Sequence, residues 1–158
     1  MSKASKNTSH RKLYTVGGDA PFQFVEAYKS LRTNLQFCGE DKKVIAVTSC
    51  TPNEGKSSVS MQLGISLAES GKRVILIDAD LRKSVLLGRT KTQKSVRGLA
   101  HFLSGQATLE DVICSTNVKN FYMIYSGPFP PNPAELLGGK NFRSLLNALR
   151  KVYDYVIV

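Results

Sequence analysis

The sequence predicts an α/β fold, three layers deep around a mainly parallel sheet, and three observations predict it. Val44-Ile45-Ala46-Val47 is a short apolar run that reads as a buried strand. A glycine-containing turn follows, then a stretch with Val59, Leu63, Ile65 and Leu67 at helical spacing that stops at Gly71. Val74-Ile75-Leu76-Ile77 is a second run, of four branched residues, the pattern of a strand buried on both faces of a parallel sheet. Strand, helix and strand make a βαβ unit, whose crossover is expected to be right-handed.

Size and composition fit one globular domain. The 158 residues are 42% apolar and 22% charged, enough to bury a core without unusual composition. No apolar run approaches the length that spans a bilayer, and the first residues lack the core of a signal peptide, so a cytoplasmic protein is expected. Cys38, Cys50 and Cys114 are odd in number and share no metal-ligand spacing, which argues against a disulfide framework or a zinc site. The formal charge of +10 suits an acidic partner: nucleotide phosphates, anionic lipid and nucleic acid all qualify, as does a merely basic solvated surface.

Residues 1–20 carry Lys3, Lys6, Arg11 and Lys12 against one acid, Asp19, and read as a mobile basic arm. Residues 21–158 then form the domain. Pro21 suits the first turn of a helix with Asp19 as a possible cap, and Phe24, Tyr28, Leu31 and Leu35 supply an apolar face down to Phe37. Glu26, Lys29 and Arg32 recur at three-residue intervals, either as an exposed ion-pair row or as a docking edge for a neighbouring subunit. Beyond the second strand, residues 83–97 are a basic loop (Lys83, Arg89, Lys91, Lys94, Arg97). Two short helices, Gly98 to Leu103 and Leu109 to Cys114, flank Ser104-Gly105, and Phe121 to Tyr125 is a further strand. Gly127-Pro128-Phe129-Pro130-Pro131-Asn132-Pro133 is a rigid loop. Short and long helices follow at Ala134–Leu137 and Asn141–Tyr153, the longer turning Phe142, Leu145, Leu146, Leu149 and Val152 inward. Asp154 to Val158 opens another core strand.

The chemistry concentrates in Thr48-Ser49-Cys50-Thr51-Pro52-Asn53-Glu54-Gly55-Lys56-Ser57-Ser58. Strand, glycine turn and helix, with Gly55-Lys56-Ser57 opening the helix, is the context of a phosphate-binding loop. The first helical turn leaves N–H groups unpaired at the positive end of the dipole, which favours polyphosphate. Residues 52–58 are thus the candidate nucleotide site: Pro52, Asn53, Glu54 and Gly55 shape the loop, Lys56 reaches the β- and γ-phosphates, Ser57 binds Mg²⁺, and Ser58 follows. Cys50 stands where the generic pattern has glycine, so its alkylation is expected to block nucleotide binding. Asp78 and Asp80 end the second strand, at the sheet edge that open α/β folds use for ligands, with Lys56 expected on the neighbouring strand. There they either hold Mg²⁺ and accept a proton, or cap the next turn.

Several stretches together resemble one family, the bacterial tyrosine kinases of capsule and exopolysaccharide synthesis, in the form whose kinase is a separate chain from its membrane activator. The resemblance covers residues 22–158. It rests on Thr48-Ser49 with Pro52 to Ser57, on Ile75 to Arg82, and on Gly127 with Pro130-Pro131-Asn132-Pro133-Ala134-Glu135-Leu136-Leu137. It implies a P-loop NTPase fold, ATP with Mg²⁺, and an autophosphorylating protein-tyrosine kinase. Lys56, Asp78 and Asp80 would be catalytic: Asp78 activates the acceptor hydroxyl, while Asp80 joins Ser57 on the metal. Glu26, Lys29 and Arg32 match a subunit-contact motif, implying a ring-shaped homo-oligomer that phosphorylates protein tyrosines between neighbours. The membrane activator (polysaccharide co-polymerase type) would hold the protein at the inner face of the plasma membrane, and nucleic acid is not an expected partner. Asn53 replaces the family's glycine and Lys29 an arginine. The family's next metal motif is expected to begin at Val156-Ile157-Val158, so the C-terminal part of the sheet is expected to be missing and the chain to act weakly alone or not at all. A MinD/ParA-like ATPase switch is the nearest alternative, though Thr51 stands where those proteins carry a second lysine. A non-catalytic nucleotide-binding regulatory subunit is a third.

Overall fold

The computed structural model describes residues 12–13, 21–90 and 96–158. Apart from Lys12 and Leu13, the basic arm with Asp19 lies outside the described residues, as do Lys91 and Lys94. In chain order the elements are β1 (Lys12–Leu13), α1 (Phe22–Phe37), β2 (Val44–Ile45), α2 (Lys56–Glu69), β3 (Val74–Ile77), α3 (Leu86–Arg89) and α4 (Leu99–Leu103). There follow α5 (Leu109–Val112), β4 (Ile113–Thr116), β5 (Phe121–Ile124), α6 (Pro133–Gly138), α7 (Lys140–Val152) and β6 (Tyr155–Ile157). The described strands form one sheet in the order β1-β4-β5-β3-β6-β2. Pairing is parallel except between β4 and β5, so the expected mainly parallel α/β architecture is present.

β3 is the centre. All four of its residues are buried, and it pairs with β5 from Val74↔Phe121 to Ile77↔Ile124 and with β6 from Val74↔Tyr155 to Leu76↔Ile157. Alternate side chains serve opposite faces, as the strand period requires. Val74 and Leu76 join Met61, Leu63, Leu67 and Phe121 under α2, while Ile75 and Ile77 join Leu99, Leu145 and Leu149 under α4 and α7. These two cores, one on each face, make the three layers.

Five expectations need correction. β6 lies between β2 and β3, so Lys56 does not follow a strand adjacent to Asp78. Strand order is set by non-local pairing, which a βαβ pattern leaves open. β2 is an edge of the described sheet and not a buried strand: Val44 is 40% exposed, and only Ile45 and Val47 pack on the core. Cys114 lies in β4 and not in a helix, because α5 ends at Val112 and Ile113 is already extended. Within the basic loop, Leu86 is buried and anchors the single turn α3. The apolar faces of two helices are also narrower than their spacing suggests. No residue of α1 is fully buried, Phe24 and Leu31 being exposed, and Val152 of α7 faces solvent.

Gly64 shows how tightly α2 meets the sheet. A Cβ there would sit 2.5 Å from Cε2 and 2.9 Å from Cζ of the Phe121 ring, which is itself fully buried. Gly64→Ala is therefore expected to destabilise by about 1–3 kcal/mol despite alanine's better helix propensity. Chemical denaturation of the two proteins measures this directly.

Candidate active site

The phosphate loop owes its shape to two backbone positions. Gly55 caps α2 in the left-handed region at φ 91°, where a side chain would be strained, and Asn53 also has positive φ, 63°. Asparagine is among the few residues that tolerate this region, which explains its presence where the resembled family has glycine. The first helical bond runs from the Val59 amide to the Gly55 carbonyl at 2.9 Å, so the amides before it form the open, positive end of α2.

Side chains hold the loop from within. Lys56 Nζ donates to Ser49 Oγ at 2.8 Å, and Ser49 Oγ donates to the Thr51 carbonyl at 2.9 Å. Thr51 donates to the Glu54 carboxylate, and that hydrogen bond holds Glu54 below its usual pKa. Pro52, Asn53 and Glu54 are exposed, as is Cys50, while Gly55, Lys56 and Ser57 are half-buried and Ser58 is exposed.

Asp78 extends β3, its amide donating to the Ile124 carbonyl at 2.8 Å. It is a buried acid, 5% exposed, and burial raises its pKa. Hydrogen bonds oppose that shift: Ser84 Oγ donates to Oδ2, the Asp80 amide to Oδ1 at 3.3 Å, and the Ser126 amide also acts on the carboxylate. Asp80 is exposed, and its Oδ1 accepts from the amides of Arg82 at 3.2 Å and Lys83 at 2.9 Å. It caps the turn after β3, one of the two roles expected for it.

Lys56, Ser57, Asp78 and Asp80 nonetheless come together. They line one cavity of ≈ 320 Å³ with Thr48, Ser60 and Val158 among its other walls. The residue after the intervening β6, Val158, contributes too, and its carbonyl accepts from the Val47 amide at 2.8 Å. Among the described residues no three His, Cys, Asp or Glu side chains cluster closely enough to hold a metal ion alone. An ion here would draw on Ser57, a carboxylate, phosphate oxygens and water, a donor set that suits Mg²⁺.

The other three sequence candidates lie apart, on α1. Glu26 and Lys29 pair at 2.8 Å on the surface, each about half exposed. Arg32 turns toward α2, donating to the Ser66 carbonyl at 2.9 Å. Two contacts went unread in the sequence: Ser84 on Asp78, and Arg89, whose guanidinium donates to Ser58 Oγ at 2.7 Å from 31 residues away. The basic run that contains Arg89 was the only signal for the second.

Among the described residues no helix is long and apolar enough to cross a membrane. The AAA domain family matches residues 42–158. Tyrosine-protein kinase CpsD of Streptococcus agalactiae is 43% identical over 133 residues, which are 84% of this chain and 58% of the relative; the chain thus spans less than two thirds of that protein's length. Among solved structures, the BceF tyrosine kinase domain superposes with a TM-score of 0.76 at 43% identity, covering 84% of this chain and 53% of that one. The VpsO kinase domain does so at 0.76 and 31%, covering 85% and 68%. A MinD structure from Pyrococcus horikoshii, complexed with Mg-ADP, is more distant at 0.59 and 26%, covering 73% and 47%. The chain therefore belongs to the AAA domain family and, within it, to the bacterial tyrosine kinases.

Proposed function

We propose that this chain is the nucleotide-binding part of an ATP-dependent, autophosphorylating protein-tyrosine kinase that regulates capsular or exopolysaccharide synthesis. The observation that carries the reading is the shared cavity of Lys56, Ser57, Asp78 and Asp80. Its support from outside is the likeness to CpsD and to the BceF kinase domain.

Lys56 and the open end of α2 would bind the β- and γ-phosphates and neutralise their charge, the main requirement of phosphoryl transfer. Mg²⁺, when bound through Ser57 and Asp80, supplies further charge neutralisation and fixes the phosphate oxygens. Asp78 is held by Ser84 and the Asp80 amide with lone pairs to spare, since a carboxylate has about four acceptor sites. It would orient a tyrosine hydroxyl and take its proton. The tyrosine oxygen bonds to the γ-phosphorus, the bond to the bridging oxygen breaks, and ADP leaves with that electron pair. Ring assembly through Glu26, Lys29 and Arg32, and attachment to a membrane-bound co-polymerase at the inner face of the plasma membrane, belong to the same proposal.

Incubation with Mg²⁺ and γ-labelled ATP and a tyrosine-containing polymer tests it. Label on tyrosine, reduced about 10²–10⁴-fold in Asp78→Asn, is the expected result. Free phosphate with no phosphotyrosine would instead point to a MinD-like switch. Alkylation gives a second check. Because Cys38 is also exposed, a Cys38→Ser background isolates Cys50, whose modification is expected to abolish ATP binding and to be slowed by saturating Mg-ATP.

A further inference from the structure

A second cavity of ≈ 320 Å³ lies beside the first, between the opening turns of α2 and the single turn α3. The two share Ser57 and Leu86 as walls. Ser57 and Ser58 link the second cavity to the phosphate site, whereas Met61, Gln62, Gly88 and Arg89 have no part in the phosphate chemistry described above. The cavity's lining is mixed: Met61 and Leu86 are apolar, Ser57, Ser58, Gln62 and Arg89 are polar, and Gly88 completes it. Pockets of this size that combine apolar walls with a few polar groups are typical ligand sites.

We propose that this cavity seats the aromatic ring of the acceptor tyrosine, which rests on the kinase reading given above. The position follows from the shared walls: a ring lodged against Leu86 lies next to the chamber that holds Asp78 and Ser57. The lining suits a ring as well. Methionine adapts its shape and makes favourable sulfur–aromatic contacts, and an arginine over a ring face adds a cation–π attraction. The same molecule already uses that pairing elsewhere, with the Arg73 guanidinium 5.9 Å from the Tyr122 centroid and 5.4 Å from that of Tyr153. Arg89 donates to the neutral Ser58 hydroxyl, which leaves its charge available to an incoming ring. At Gly88 an added Cβ would meet nothing within 4 Å, so the first atom of a larger side chain is accommodated there.

The test uses the whole chain saturated with Mg²⁺ and a non-hydrolysable ATP analogue, titrated with a short peptide bearing one tyrosine and with its Tyr→Ala counterpart. Calorimetry reads affinity, and the Met61 methyl resonance reads ring-current shifts. Expected are an upfield Met61 shift with the tyrosine peptide only, a loss of at least tenfold in its affinity in Gly88→Leu, and a smaller loss in Arg89→Ala, which guards against misfolding of the first variant. Analogue affinity stays within twofold in Gly88→Leu. Unchanged peptide affinity in both variants, or a Met61 methyl indifferent to the peptide, overturns the proposal. A loss of analogue affinity in Arg89→Ala with peptide binding intact also overturns it, assigning the cavity to the nucleotide. If the unmodified chain binds no analogue, the kinase reading itself fails, which is a distinguishable result.

Discussion

Lys56→Met is expected to weaken ATP binding by about 10- to 100-fold while leaving the fold intact. The ammonium of Lys56 is half-buried at the first residue of α2, and its hydrogen bond in the structure goes to Ser49 Oγ, a neutral hydroxyl in the same loop. That bond has an ionised donor and contributes about 1.5–3 kcal/mol at most, as a contact within the loop and not a tie to the core. Against a triphosphate the same group makes a charge-assisted hydrogen bond, with a net contribution of about 1.5–3 kcal/mol, or one to two decades of affinity. Transition-state charge is larger than ground-state charge, so phosphotransfer is expected to fall further, by about 10²–10³-fold. Titration with a fluorescent ATP analogue and a thermal melt on the same samples separate the two roles. A large drop in melting temperature with unchanged affinity would make Lys56 a loop brace and would remove the basis for the proposed kinase.

What could be read beforehand divides along a physical line. The phosphate loop was legible because its backbone demands particular residues: Gly55 at φ 91° and Asn53 at φ 63° sit where few side chains can. β3 was legible because a strand buried on both faces must be apolar throughout, and Val74-Ile75-Leu76-Ile77 is. β4 was not. Ile113-Cys114-Ser115-Thr116 has no clean alternation, and a helix capped by Thr108 runs straight into it, so the helical signal extends over Cys114. The place of β6 between β2 and β3 could not be read either, because pairing partners 80 or more residues apart leave no local mark. The site followed the same rule. Lys56, Ser57 and the two aspartates were found from local motifs, whereas Ser84 and Arg89 act through contacts that only the folded chain creates. Arg32 shows the converse, since a motif that pointed outward turns in onto Ser66.

Gly98→Ala is expected to be the most damaging glycine-to-alanine change among the described residues, and its effect should reach the active site. Gly98 precedes α4 at the point where that helix meets the end of β5. Its neighbours' amides are bonded there, Leu99 to the Tyr125 carbonyl at 2.6 Å and Ala100 to the Ser126 carbonyl at 2.9 Å. A Cβ on Gly98 would lie 2.3 Å from the Gly127 amide nitrogen and 2.5 Å from the Tyr125 carbonyl oxygen. Both obstacles are backbone, so no rotamer change relieves them. The cost is expected to reach about 3 kcal/mol or more, lowering Tm by on the order of 10 °C. Gly138→Ala in α6 is the matching control, because its Cβ would meet nothing within 4 Å and helix propensity favours alanine. The displaced segment matters for chemistry because it continues β5, whose Ile124 carbonyl accepts from the Asp78 amide at 2.8 Å. Pushing Tyr125–Gly127 away from α4 loosens one of the groups that hold Asp78, so tyrosine phosphorylation at a temperature where the variant remains folded is expected to fall more than ATP affinity. Equal losses in both would mean that the strain spreads through the whole sheet edge, and that the α4 contact supports the fold without setting the acid's position.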